Sequence, residues 1–211
     1  MSYSSLWTIK PNYIGEEFHT YNNSWWFSPI VWDVLSDKTL PRGFMGRIQS
    51  VIGMDGNEVW RKINNKMNNS ENVSDRICWE ISNQNIFFTK DKEFIVSCIR
   101  KFLEDNKGYD KSDKDGVSIL EREHIIERFN DIANDILDLD ENEYPYFVLK
   151  NTSVDDGVEC WFSKYDKEKD EYTEIPLNKS EKFLAEFVII EDGNIKEFVS
   201  NLDYQYKESE E

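Results

Sequence analysis

Apolar side chains in this chain recur at helical spacing from Lys92 through Leu137, and from Tyr144 onward they run in short extended blocks. That switch of period, from about 3.6 to 2, predicts an α+β protein with helices mainly in the first two thirds and an antiparallel β meander in the C-terminal third. The strongest helical signal covers 119 to 137. Ser118 and Glu121 form a capping box ahead of Ile125, Ile126, Phe129, Ile132, Ala133, Ile136 and Leu137. A second helix spans Lys92 to Glu104, where Phe94, Ile95, Cys98, Ile99, Phe102 and Leu103 share a face ahead of Gly108, which assigns Cys98 to the core.

Earlier elements are shorter. Trp7-Thr8-Ile9 reads as a strand, and Ser28-Pro29 opens a helix through Ser36. Another helix follows Asp55-Gly56, carries Trp60, Ile63 and Met67, and ends at Asn68-Asn69-Ser70. Residues 76 to 89 read as a hairpin turning at Ser82-Asn83-Gln84-Asn85 and returning along Ile86-Phe87-Phe88. In the last third the expected strands are Tyr146 to Leu149, Val158 to Phe162, Tyr172 to Ile175 and Phe187 to Ile190. Asp192-Gly193 then turns into Ile195 to Val199, and the tail from Tyr204 frays.

The segment from Asn106 to Gly116, rich in Asp, Lys and Gly, reads as a loop. It leaves two arrangements open: one domain over 1–211, or a Trp-rich lobe over 1–105 joined to an acidic lobe over 117–203. At 211 residues either arrangement has a core of its own, since a chain this long buries about 70% of its unfolded surface. No repeat of solenoid or propeller length occurs.

Charge divides the chain unevenly. Residues 1–90 hold nine of the 25 Lys and Arg and nine of the 42 Asp and Glu, so the remaining 16 and 33 account for the net −17. A field of that sign disfavours nucleic acid and anionic lipid and favours fast encounter with basic proteins. Cys78, Cys98 and Cys160 are odd in number and widely spaced, which suits a reducing cytoplasm and excludes a Cys-x-x-Cys zinc site. The N-terminal residues lack a signal-peptide pattern, and no apolar run is long enough to span a membrane.

Motifs for cofactors and catalysis fail on geometry. Glu16 with His19 and Glu121 with His124 have the Glu-x-x-His spacing that holds metal inside helical bundles. His124, however, falls about 150° from the apolar centre of its helix, and no long helix fits around His19. Placing Gly116 at the sixth position of a calcium loop puts Lys111 first and Arg122 twelfth, which rules out an EF-hand. A nucleophile elbow, a P-loop and a dinucleotide-binding glycine pattern are all absent. No cofactor or metal is therefore expected.

The remaining constellation is physical. Glu123, Glu127, Asp131 and Asp135 stand four residues apart on the best-written helix, and Asp138 extends the row. Like charges at that spacing cost a few tenths of a kcal/mol each, and those near the C-terminus oppose the helix dipole. A helix needing only solubility alternates Glu with Lys, so the row is a candidate docking face for a basic partner; the plain alternative is a solvated face of an acidic protein. Six of the seven tryptophans fall in the first 79 residues, and adjacent Trp25 and Trp26 cannot both point inward from an extended segment, which makes Trp25 a candidate contact.

These features predict a protein-binding module of the immunity or inhibitor kind, neutralising a basic nuclease, toxin or defence factor. The alternatives are a nucleic-acid mimic, an enzyme with an unmarked carboxylate site, and an assembly subunit. Charge reversal along Glu123, Glu127, Asp131 and Asp135 is expected to abolish binding and leave the fold intact.

Overall fold

The computed structural model describes residues 3–37, 56–109, 117–152, 162–180 and 185–204. The acidic part of the central loop at 110–116, Cys160, all of the expected Val158 to Phe162 strand except its last residue, and the tail beyond Tyr204 lie outside the described residues.

The protein is α+β. Strands β1 (Tyr3–Ile9) and β2 (Gly15–Asn22) precede helices α1 (Ser28–Asp37), α2 (Gly56–Asn68) and α3 (Val73–Ser82). Strand β3 (Phe87–Phe88) then leads into α4 (Lys92–Asp105) and α5 (Glu123–Asp138). Five strands follow: β4 (Tyr146–Thr152), β5 (Ser163–Asp166), β6 (Glu171–Glu174), β7 (Glu186–Glu191) and β8 (Asn194–Ser200).

The main sheet has the order β2-β1-β4-β3, with every neighbour antiparallel. Strand β4 is thus inserted between β1 and β3, and β5–β6 and β7–β8 are separate antiparallel hairpins. A parallel bridge from Ile86 to Phe187 continues the sheet into β7, with Ile86 N–H donating to Glu186 at 2.8 Å and Val188 N–H to Ile86 at 2.8 Å. Asp192 and Gly193 have φ of 51° and 70°, the left-handed pair that a two-residue hairpin turn requires.

Period-2 alternation assigns the two sheet faces. Leu6, Phe87, Phe147, Leu149 and Val188 face the helices, where Phe27, Ile77, Trp79, Ile99, Phe129 and Ile132 complete one core. Trp7, Ile9, Tyr146, Val148 and Phe187 face the other way, under Tyr13, Phe162 and Leu177.

The hairpin expected over 76–89 is corrected: α3 occupies Val73–Ser82. Asn72 caps it by accepting from the Asp75 N–H at 3.2 Å, and Gln84, at φ 64°, turns the chain out. Ile77, Cys78, Trp79, Glu80, Ile81 and Ser82 are all buried, so polar residues share the packed side and the last turns of the helix have no solvated face. The return strand survives as β3. The capping box at Ser118 and Glu121 is present, yet it closes a 3-10 turn over Ile119–Glu121; Arg122 is extended and the α-helix begins at Glu123. Strands β2 and β5 are left unmarked by the sequence pattern, the expected Val158 to Phe162 strand ending at Phe162, before β5 begins. Strand β2 is the longer of the two. It is a polar edge strand, and Phe18 is its bulge, since Leu6 pairs with His19 and Trp7 with Glu17.

Candidate functional site

Helix α5 is held by its apolar face. Ile125, Phe129, Ile132, Ala133 and Ile136 are buried, and the Phe129 ring packs 4.4 Å from Phe27 and stacks 6.1 Å from Phe102. Fixing that face inward turns Glu123, Glu127, Asp131 and Asp138 to solvent.

Within α5 the only cation is Arg128, and it is 7% exposed. Its guanidinium donates to the carbonyls of Asn22 at 2.6 Å and Asn23 at 3.2 Å. It also lies 5.2 Å from the Tyr21 ring centroid and 5.3 Å from that of Trp26. A charge so placed holds α5 to the end of β2 rather than neutralising the outer row. Arg128 therefore hydrogen-bonds to none of the exposed carboxylates of the helix, and of the row it meets only the Asp131 charge, through space.

Asp135 behaves differently from its neighbours in the row. Its side chain is 21% exposed, and its Oδ2 accepts from the Tyr21 hydroxyl at 2.5 Å and lies 2.7 Å from His19 Nδ1. His19 and Tyr21 are two positions apart on the helix-facing side of β2, and their rings stack at 4.7 Å. Burial, and then the Asp135 carboxylate, push the Tyr21 hydroxyl far above its ordinary range, so it remains a donor. Asp135 is thus a tie between α5 and β2, and the free row consists of Glu123, Glu127 and Asp131, continued by Asp138.

Trp25 is 43% exposed on a 3-10 turn, Ser24–Trp26, that packs on α5. Asn23 starts the turn at φ 64°, its side chain accepting from the Trp25 N–H at 3.2 Å. The other tryptophan of the pair, Trp26, packs 4.8 Å from His124 and covers Arg128. Trp25 is thus exposed on a turn whose neighbouring residue, Trp26, packs on α5. Beyond the helix, Asp140 continues the acidity, its carboxyl held below the usual range by the backbone N–H of Asn142 at 2.9 Å.

No protein family, curated protein or solved structure matches this chain.

The functional reading therefore stands on the chemistry of the face. The two Glu-x-x-His histidines serve separate contacts, His19 with Asp135 and His124 with Trp26. Among the described residues no three potential ligands converge on a metal position. An Asp–His pair orients an imidazole for proton transfer, but no Ser, Thr or Cys is hydrogen-bonded to His19 among the described residues, so the pair lacks a nucleophile. What the arrangement offers is an electrostatic surface with an aromatic margin. Sequence reasoning missed Arg128 and Tyr21, and weighed His19 as a metal-ligand candidate without its partner Asp135. Arg128 had a usable signal, because it falls between Ile125 and Phe129 on the apolar side of the helix, where a cation must find buried acceptors.

Proposed function

We propose that this protein is an acidic binding module that captures a basic protein through α5. Glu123, Glu127, Asp131 and Asp138 form the electrostatic contact, and Trp25 supplies the aromatic anchor at its edge. A role as an immunity protein or inhibitor of a basic nuclease, toxin or defence factor fits, because opposite charge accelerates capture and disfavours other acidic partners. The observation that carries this reading is the inward turn of Arg128, the only cation of α5, whose hydrogen bonds go to Asn22 and Asn23 and not to the exposed carboxylates of the row.

The test is a pull-down from host lysate with wild type and with the triple variant Glu123→Lys, Glu127→Lys, Asp131→Lys, washed at low and then high salt. Asp135 stays unchanged, because reversing it would place an ammonium against the Tyr21 hydroxyl and His19 and confuse lost binding with lost structure. A basic protein that wild type retains, salt releases and the folded variant fails to hold supports the proposal. Equal retention by the variant overturns it. Adding duplex DNA as competitor separates a nucleic-acid mimic, whose partner it displaces, from an inhibitor that binds elsewhere on its target.

A further inference from the structure

At the end of the sheet away from β2, an open groove of about 440 Å³ lies between the β3–α4 junction and the β7–β8 hairpin. Its apolar lining includes Phe88, Ile189, Val199 and Tyr204. The Tyr204 ring stacks on Phe187 at 4.1 Å and meets Phe88 edge-on at 5.8 Å, so the aromatic wall is braced from behind. That volume falls within the range of small-molecule sites, roughly 300–1,000 Å³.

The polar lining is one-sided. Among the described lining residues, Asp91, Glu191, Glu197 and Asp203 face one cation, Lys90. Glu191 is paired with Lys196 at 2.5 Å. Asp91 differs from the others: its Oδ2 is buried and accepts no hydrogen bond, and the side chain does not cap the helix it precedes. Burial pushes the Asp91 carboxyl up from its ordinary range, Lys90 opposing. A partly buried carboxyl that lines the groove and has an oxygen without a donor is costly to keep charged, and a cation brought to its accessible side by a ligand offsets that cost. Lys90 already shows which donor the wall accepts, since its ammonium stands 5.2 Å from the Phe88 ring centroid while the residue itself is exposed at the lip.

We infer that this groove binds a small organic cation, an alkyl- or arylalkylammonium ion whose apolar body lies on Phe88, Val199 and Tyr204 and whose ammonium is received by Asp91. Glu197 and Asp203 add attraction at the rim, and Lys90 is an internal competitor for the aromatic face. An anion meets three unpaired carboxylates here, and a neutral apolar ligand leaves Asp91 Oδ2 without a donor. The groove shares no lining residue with the docking row of α5, although Lys92, next to Asp91, donates to the Leu139 carbonyl at the C-terminal end of that helix at 2.6 Å.

The test is a titration of the full-length protein with 2-phenylethylammonium, followed by calorimetry and by amide chemical shifts, with neutral 2-phenylethanol as the shape-matched control. The ammonium is expected to bind saturably and shift amides of β7 and β8, with the alcohol weaker by about tenfold or more. Asp91→Asn should weaken the ammonium by about tenfold, and Lys90→Met, which frees the Phe88 face, should strengthen it a few-fold. Because Lys90 is exposed, its substitution tests the site even if Asp91→Asn perturbs folding. Equal affinity for the alcohol, unchanged affinity in folded Asp91→Asn, or no saturable binding of the ammonium overturns the inference.

Discussion

Tyr21 and Asp135, 114 positions apart, are joined by a 2.5 Å hydrogen bond that ties edge strand β2 to helix α5. Arg128 secures the same junction from the helix side through the carbonyls of Asn22 and Asn23. Together they set the height at which the acidic row stands above the sheet. Tyr21→Phe removes the donor and leaves Asp135 with His19 alone, so we expect a loss of roughly 1.5–3 kcal/mol, the range for hydrogen bonds to charged groups. Urea denaturation measures it. A loss no larger than that of exposed His19→Gln would show that the hydroxyl contributes nothing beyond packing.

The free part of the row carries its own strain. Glu127 has like charges four residues away on both sides, at Glu123 and Asp131. Glu127→Lys converts two repulsions into two attractions, and stability should rise by about 1 kcal/mol at low salt, with the gain shrinking as salt is added. Thermal unfolding at two ionic strengths tests this. Unchanged or reduced stability would mean that the row is neutralised by groups beyond α5.

Glu80 links stability to pH. It is buried in α3, accepts from Asn85 Nδ2 at 2.7 Å, and is pushed by burial from an ordinary 4.5 up to about 7. Because the folded value is the higher one, the stabilisation from its proton is fully present below pH 4.5 and is lost as pH rises through about 7. The shift corresponds to roughly 3 kcal/mol. Relative to wild type, Glu80→Gln should therefore gain stability as pH is raised from about 5 to about 8, approaching that amount. A wild-type-minus-variant difference that stays flat across this window would place the titration elsewhere.

Gly15 and Phe162 report on the opposite sheet face. A Cβ built on Gly15 would lie 2.4 Å from the Phe162 ring, which stacks on Trp7 at 5.2 Å. Gly15→Ala should cost about 1–3 kcal/mol through overpacking. Adding Phe162→Leu, which removes the ring from over Gly15, should make the alanine less costly. A double variant whose losses simply add would refute the contact, because the double-mutant cycle would then show no coupling.

Helices α4 and α5 were legible in the residues because each has one wet and one dry face, and such faces leave a period. The β7–β8 hairpin was legible from its apolar run Phe187 to Ile190 and the Asp192–Gly193 turn. Helix α3 was hidden because its buried side mixes Asp75, Glu80 and Ser82 with apolar residues, and its Trp79 indole donates to Asn64 at 2.9 Å. Strand β2 was hidden for the converse reason: apart from the bulged Phe18 its exposed residues are polar, and pairing with β1, rather than any pattern of its own, makes it a strand.

The exposure of Glu123, Glu127 and Asp131 follows from sequence alone, as do the Asp192–Gly193 turn and the concentration of charge after residue 90, because each depends on residues within a few positions. That Asp135 leaves the row for Tyr21 and His19, that Arg128 is spent on Asn22 and Asn23, and that Asp91 shares a groove with Tyr204 were set only when the chain closed. The physical reason is distance along the chain. Contacts spanning a hundred residues depend on the path of every element between them, and no local period encodes that path.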